Sequence, residues 1–363
     1  MNIFLVVIFV RTALQITAGC KDRTALDVSY KNEQIGYSGR IDTTGTEGAD
    51  LYWSGTSVSI NFEGSSVWAL LEDETGDNYY NVIIDGQVVT ILRPSAVRKY
   101  HLLGSNLDNG KHRVEIFKRS EWDRGKTTFY GFRIKGDGKI LPKPPSKKRK
   151  SEFYGNSITA GYAVEDDSGE DSPEGTFTNN YLSYSAIIAR HFDAEYMCTC
   201  KSGIGIMISW FPLTMPEIYD RLIPEDSTSK WDFSNYTPDI VIINLLQNDS
   251  WLVEMPEEEE FKAKFGNKAP EEGEIIDAYK DFVTDIRKHY PDAHIICALG
   301  NMDATREGSE WPGYISQAVN ELADPKIYTH FIPYKNTPGH PNMEEQKELA
   351  QSLIRFIDNH IEW

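Results

Sequence analysis

The chain is poor in cysteine, with Cys20, Cys198, Cys200 and Cys297 the only four among 363 residues. Neither Cys-x-x-Cys nor His-x-x-x-His occurs, so the ligand spacing of a structural zinc is missing and neither a metal nor another cofactor is expected. Cys198 and Cys200 stand two apart in a predicted strand and face the same side. A mutual disulfide is sterically poor there, which leaves buried free thiols as the expectation. The chain also lacks an apolar run long enough to cross a bilayer. Positive charge is scarce, but unevenly so. Residues 21–150 hold 21 Lys/Arg against 17 Asp/Glu, whereas residues 151–363 hold 15 against 38. So acidic a second half repels phosphate backbones and anionic lipid, which argues against nucleic acid as a partner and favours neutral substrates.

What is present divides the chain. Met1 to Cys20 has an apolar run from Ile3 to Val10, interrupted by Arg11 and followed by small residues, and reads as a signal peptide. Its ending, Thr17-Ala18-Gly19-Cys20, resembles the lipobox of bacterial lipoproteins, which implies lipidation at Cys20. An exported protein is therefore expected: periplasmic, anchored to the outer membrane or extracellular. The only membrane contact foreseen is that N-terminal lipid, and the protein is expected to be monomeric.

From about residue 50 to 135 the pattern is period-two alternation broken by turn residues, as Val58, Ile60 and Phe62 alternate with Ser57, Ser59 and Asn61, and the domain it marks is taken as residues 25–140. Val82–Ile84, Asp85-Gly86 and Val88–Leu92 form a predicted hairpin. Short strands at this spacing imply an N-terminal β-sandwich of jelly-roll type. Residues 141–150, Leu-Pro-Lys-Pro-Pro-Ser-Lys-Lys-Arg-Lys, read as a solvated linker. From 151 to 363 strand and helix alternate. Strands are predicted at Glu152–Tyr154, Ala194–Cys200, Ile240–Leu245, His294–Leu299 and Tyr328–Ile332, with helices near Tyr181–His191, Ile275–His289, Tyr314–Leu322 and Met343–Asn359. That order implies an α/β domain with a parallel sheet covered on both faces, whose chemistry collects at the carboxyl ends of its strands. Glu257–Glu260 lies in a polar insertion, Met255 to Gly273, read as a solvated face or lid edge. The two glycosylation-type triplets at Asn235 and Asn248 are taken as chance.

Four segments fall at those strand ends. Gly155-Asn156-Ser157 follows the first, where a serine at a tight strand-to-helix turn exposes its hydroxyl, although Asn-Ser after glycine also serves as a helix cap. Ser202-Gly203-Ile204-Gly205 follows the second and lets a backbone N–H approach a ligand. Gln247-Asn248-Asp249 follows the third and offers a neutral amide donor. Asp249 beside it is expected to fix the loop by hydrogen bonds. Gly339-His340-Pro341-Asn342 precedes the last helix, so that a loop can bring an imidazole to the serine.

In that order Ser157, Gly203, Asn248 and His340 resemble the four blocks of the SGNH, or GDSL, hydrolases, with Gly-Asn-Ser where most members have Gly-Asp-Ser. The resemblance implies a flavodoxin-like three-layer α/β/α domain. It implies Ser157 as nucleophile, His340 as its base, and an oxyanion hole made by the Ser157 and Gly203 N–H groups with the Asn248 side chain. Most members carry an aspartate three residues before the histidine, and here that position is Thr337. A backbone carbonyl, another side chain such as Asp303, or nothing then orients His340. A jelly roll ahead of such a domain, with a Ser–His dyad, is similar to carbohydrate esterase family two, whose members remove O-acetyl groups from xylan, glucomannan and related glycans. That similarity implies an acetylated carbohydrate as substrate. Trp210, Trp251 and Trp311 are candidates for stacking on a sugar face, Trp251 foremost, with core packing the alternative for each. A lipase or thioesterase of the same superfamily, or a non-catalytic glycan-binding protein, are the competing functions.

Overall fold

In the computed structural model, which describes residues 25–45, 47–108, 110–135 and 138–363, the alternating half forms two antiparallel sheets. One is built on Ser57–Glu63, Tyr80–Ile84, Gln87–Leu92 and Lys111–Lys118, the other on Ser66–Asp73, Lys99–Ser105 and Thr127–Lys135. Val58, Ile60 and Phe62 lie opposite Ile116, Val114 and His112, and all three are buried. They meet Val67, Ala69 and Leu71 of the facing sheet in one core. The Asp85-Gly86 turn has both residues at positive φ, as the twist of a two-residue hairpin requires. The expected signal segment, Cys20 included, lies outside the described residues. Among those described, no helix is long and apolar enough to cross a membrane.

The second half is a five-stranded parallel sheet. In chain order its strands are Arg149–Gly155, Ala194–Cys200, Ile240–Asn244, His294–Leu299 and Ile327–Phe331, and in space they run 2-1-3-4-5. Val241 and Ile243 of the central strand pack under the helices Glu272–His289 and Trp311–Leu322. Ile240 and Ile242 pack on the other face, under Tyr184–His191 and Met343–His360. Both faces are thus apolar, which is why this strand reads as an unbroken hydrophobic run. The chain is a β-sandwich followed by a three-layer α/β/α domain of flavodoxin-like strand order. In such a sheet, ligands gather where the order reverses, here between the first and third strands.

Three local expectations change. The first parallel strand begins at Arg149, so the end of the basic run is sheet, and the Lys150 N–H donates to Asp239 Oδ2 at 2.8 Å. The polar insertion contains a helix, Glu259–Phe265, because Phe261 is buried against Ile208, Leu252 and Val253. The helix predicted near Tyr314–Leu322 begins earlier, at Trp311, which packs on that same apolar cluster.

The two halves are joined by buried polar contacts. Arg40 of the sandwich donates to Glu152 Oε1 at 2.9 Å, to the Arg221 carbonyl at 3.0 Å and to the Tyr154 hydroxyl at 3.2 Å. Both charged side chains are fully buried. Removing one member of such a pair strands the other's charge in a dry interior. Arg40→Ala is therefore expected to lower the unfolding free energy by about 3–5 kcal/mol in equilibrium urea titrations. A loss within about 0.5 kcal/mol, as at an ordinary surface site, would contradict that account.

Candidate active site

The first strand ends at Gly155, where a Cβ would come within 1.9 Å of Thr159 Oγ1, so the turn closes only with glycine. Asn156 caps the one-turn helix Ser157–Ala160, its Oδ1 accepting the Ile158 N–H at 3.0 Å. The capping and the reactive readings of this motif are therefore filled by different residues, Asn156 and Ser157. Gly161, at φ +69°, ends the helix. The last long helix fastens it, since Gln346 Nε2 donates to the Ile158 carbonyl at 2.9 Å.

Three residues before that long helix, His340 reaches back across 183 positions and its Nε2 lies 2.9 Å from Ser157 Oγ. Its Nδ1 lies 2.7 Å from Asp171 Oδ2, and its backbone N–H donates to Asp171 Oδ1, also at 2.7 Å. A proton on Nδ1 leaves Nε2 able to accept from the serine, the arrangement a general base requires. Gly339, at φ +69°, admits this carboxylate: a Cβ there would lie 2.9 Å from Asp171 Oδ1. Tyr162 braces the pair, its ring edge-on to the imidazole at 4.9 Å and its hydroxyl donating to the Asp171 carbonyl at 3.2 Å.

The question of what orients His340 thus has a definite answer in Asp171, which extends the expected dyad to a Ser–His–Asp alignment. Thr337 occupies the position of the usual aspartate, but its hydroxyl donates to Glu345. Lys335, almost wholly buried, donates to the Thr337 and Pro338 carbonyls, each at 3.0 Å, and so holds the loop that carries His340. Asp303 does not reach His340: it accepts the Trp251 indole N–H at 3.2 Å and pairs with Arg306. Burial alone would raise the Asp171 carboxyl. Hydrogen bonds from the His340 ring and backbone, with the charges of His340 and Lys335, outweigh it and hold the group below the usual carboxylate value.

The oxyanion candidates form the neighbouring wall. Gly203 sits at φ +82°, where a Cβ would lie 3.3 Å from Trp210 Cβ. Among the described residues no hydrogen bond engages the Gly203 N–H. Asn248 lies in a short helix, Gln247–Leu252, entered through Leu246 at φ +78°. A non-glycine residue held in that region is strained by about 1–3 kcal/mol, a cost tolerated where it re-aims the chain. One Asn248 amide hydrogen goes to the Ile204 carbonyl, Nδ2 to O 2.8 Å, and the amide has a second to offer. Asp249 is fully buried and accepts the N–H groups of Ile206, Met207 and Ile208 at 2.7–3.2 Å. It ties the glycine loop to the asparagine helix. Desolvation pushes its carboxyl up to about 6 despite those three donors.

The tryptophans differ in kind. Trp210 is 43% exposed beside Gly203. Trp251 is half-buried with its indole nitrogen fixed by Asp303, and Trp311 packs on the core. Cys198, Cys200 and Cys297 are buried free thiols.

Comparison with known proteins bears on what such a site does. Residues 37–144 match the family model for the carbohydrate esterase 2 N-terminal region. The chain is 32% identical, over 92% of its length, to the cellulase/esterase CelE of Acetivibrio thermocellus, of which it spans 40%. It is 24% identical to an acetylxylan esterase/glucomannan deacetylase of Cellvibrio japonicus, covering 93% of this chain and 91% of that one. Among solved structures, a family two carbohydrate esterase from Clostridium thermocellum in complex with cellohexaose superimposes with a TM-score of 0.79 at 32% identity, covering 90% of this chain and 98% of that one.

Two outcomes are expected of these carboxylates. Asp171→Asn removes the partner that fixes the imidazole tautomer, so covalent labelling of Ser157 by a fluorophosphonate, followed by intact mass, is expected to slow by about 10²–10⁴-fold. For Asp249, the folded carboxyl binds its proton more tightly than the ordinary value of 3.8, so between about 4 and about 6 the folded state holds more protons than the unfolded one. Its contribution to stability is present below that window and is lost as pH rises through it. Asp249→Asn should flatten the pH dependence of the unfolding free energy there, and an unchanged slope would contradict the assignment.

Proposed function

The chain belongs to carbohydrate esterase family two, and from that premise we propose that it is a serine esterase releasing acetate from O-acetylated polysaccharides or oligosaccharides of the xylan or glucomannan kind. The observation that carries this is the Ser157–His340–Asp171 alignment, with hydrogen bonds of 2.9 and 2.7 Å in series. In the reaction, Ser157 Oγ attacks the acetyl carbonyl while His340 Nε2 takes its proton. The Ser157 and Gly203 N–H groups and the free Asn248 amide hydrogen hold the oxyanion, where each donor accounts for about 10²–10³ in rate. His340 then passes its proton to the departing sugar oxygen, leaving an acetyl-enzyme. Water, deprotonated by the same imidazole, attacks that ester, and acetate leaves as Ser157 recovers its proton. Asp171 keeps the proton on Nδ1 throughout and stabilises the imidazolium formed in each half.

Trp210 is the better-placed tryptophan for stacking a sugar, because it is exposed beside Gly203, whereas the Trp251 indole is tethered to Asp303. The acidic second half suits a neutral glycan. Export and lipidation at Cys20, which rest on the sequence of Met1–Cys20, belong to the same proposal, as does a monomeric state. A glycan-binding protein without catalysis has less support, because a binding face has no use for an aligned hydroxyl, imidazole and carboxylate.

Ser157→Ala is expected to abolish hydrolysis of 4-nitrophenyl acetate and release of acetate from acetylated xylan and glucomannan, with an unchanged melting temperature. Turnover persisting in that variant would refute the mechanism. In a 4-nitrophenyl ester series, octanoate preferred over acetate would favour the lipase or thioesterase reading instead.

A further inference from the structure

The segment Lys118–Trp122 leaves the sandwich at the end of one of its strands, yet all five of its residues are buried, three of them charged. Burying charge without a partner is costly, so each of these side chains needs a reason to be there. Glu121 provides a direct one. Its Oε2 accepts the backbone N–H of Ser202 at 2.5 Å, and its Oε1 accepts the Ser202 hydroxyl at 2.6 Å. Ser202 immediately precedes Gly203. On the other side the same loop is fixed by the Lys201 N–H, which donates to the Gly155 carbonyl two residues before Ser157. Lys201 Nζ lies 3.1 Å from Asp123 and 3.6 Å from Glu121, closing a small charge network over the junction.

The chain is anchored on both sides of Glu121. Trp122 packs edge-on against the fully buried Trp53, with ring centroids 6.4 Å apart, and Ser120 donates to Asn78 at 2.7 Å. The same segment grips the loop that carries Asp171. Arg119 donates to the Thr176 carbonyl at 2.7 Å and to the Thr178 carbonyl at 3.3 Å, and it pairs with Glu165. Arg124 donates to the Pro173 carbonyl at 2.5 Å.

We propose that Glu121, a residue of the β-sandwich, is a positioning residue for the esterase reaction: by holding Ser202 it sets the orientation of the peptide that presents the Gly203 N–H to the oxyanion. This rests on the esterase reading above and deepens it. The sandwich is then a structural part of the reaction centre, whatever else it binds. A donor in an oxyanion hole acts through pre-organisation, so a loop free to rotate loses rate without losing the group.

The test compares Glu121→Ala and Glu121→Gln with the unaltered protein, on 4-nitrophenyl acetate and on an acetylated xylo-oligosaccharide, with active sites counted by fluorophosphonate titration. The expected result is a fall in kcat per titrated site of about 10–100-fold for Glu121→Ala, with KM changed less than about 3-fold and a similar loss on both substrates. Glu121→Gln, which keeps one acceptor oxygen, should fall between, and it carries the test if Glu121→Ala does not fold. Fewer titratable sites with unchanged kcat per site would make Glu121 merely structural and overturn the proposal. A loss confined to the oligosaccharide would make it a sugar contact, with the same consequence. Ser157→Ala is run alongside, and turnover surviving there would instead bring down the esterase reading itself, so the two failures are distinguishable.

Discussion

Everything in the site turns on the imidazole of His340, because both of its ring nitrogens are committed. Nε2 faces the Ser157 hydroxyl and Nδ1 faces the Asp171 carboxylate. One ring can serve both only if its tautomer and its plane are fixed, and much of the surrounding architecture does that fixing. The second hydrogen bond to Asp171, from the histidine's own backbone, fixes the carboxylate relative to the loop as well as to the ring. Tyr162 closes one face, and Lys335 fastens the loop carbonyls before the histidine. Each contact is modest alone, since a net hydrogen bond contributes about 1 kcal/mol. Acting on one ring, they make its orientation a property of the fold.

The sheet explains why these groups can meet at all. The strand order reverses between the first and third strands, and the crevice so formed takes Ser157 from one turn and Asn248 from the next. Both turns are tight, with the Thr159 hydroxyl crowding Gly155 in one and the left-handed Leu246 opening the asparagine helix in the other. Asp249 couples the two walls by drawing three successive N–H groups of the glycine loop onto a helix carboxylate. That helix residue sits beside the amide donor, so the chemistry and its scaffold occupy adjacent positions in the chain.

Much of this was legible in the sequence. Periodicities of two and of strand alternating with helix located the sandwich and the parallel sheet, because apolar burial on one face or on both imposes those patterns. The four strand-end blocks located Ser157, Gly203, Asn248 and His340, since glycine and turn residues mark where backbone must bend sharply. Asp171 was not legible. It is one of five acidic residues between Glu165 and Asp171, in a segment without periodicity, and nothing in their spacing selects one. Its partner is 169 positions away, so the pairing is a fact of topology. The tryptophans could not be ranked from the sequence for a related reason: an indole suits a core and a sugar face equally, and only the fold exposes Trp210 while pinning Trp251.

The same distinction applies to the sandwich. Read alone, its alternating strands describe a self-sufficient module that could be appended anywhere, and its buried Lys118–Trp122 segment would look like a defect, three charged residues where apolar ones belong. Against the α/β domain three of its five residues find their partners. Arg119 holds the loop bearing the carboxylate, Glu121 holds the loop bearing the glycine, and Trp122 packs in the core beneath the parallel sheet. Arg40 joins the halves with a second buried pair at Glu152, on the strand that ends just before Ser157. A linker of solvated prolines would permit the halves to move apart. Apolar packing across their junction opposes this, because separation would expose Trp53 and Trp122, which share one core with Tyr154, Ile204 and Val241, to water. The site is therefore built by two domains that must stay docked, and its geometry is as stable as their interface.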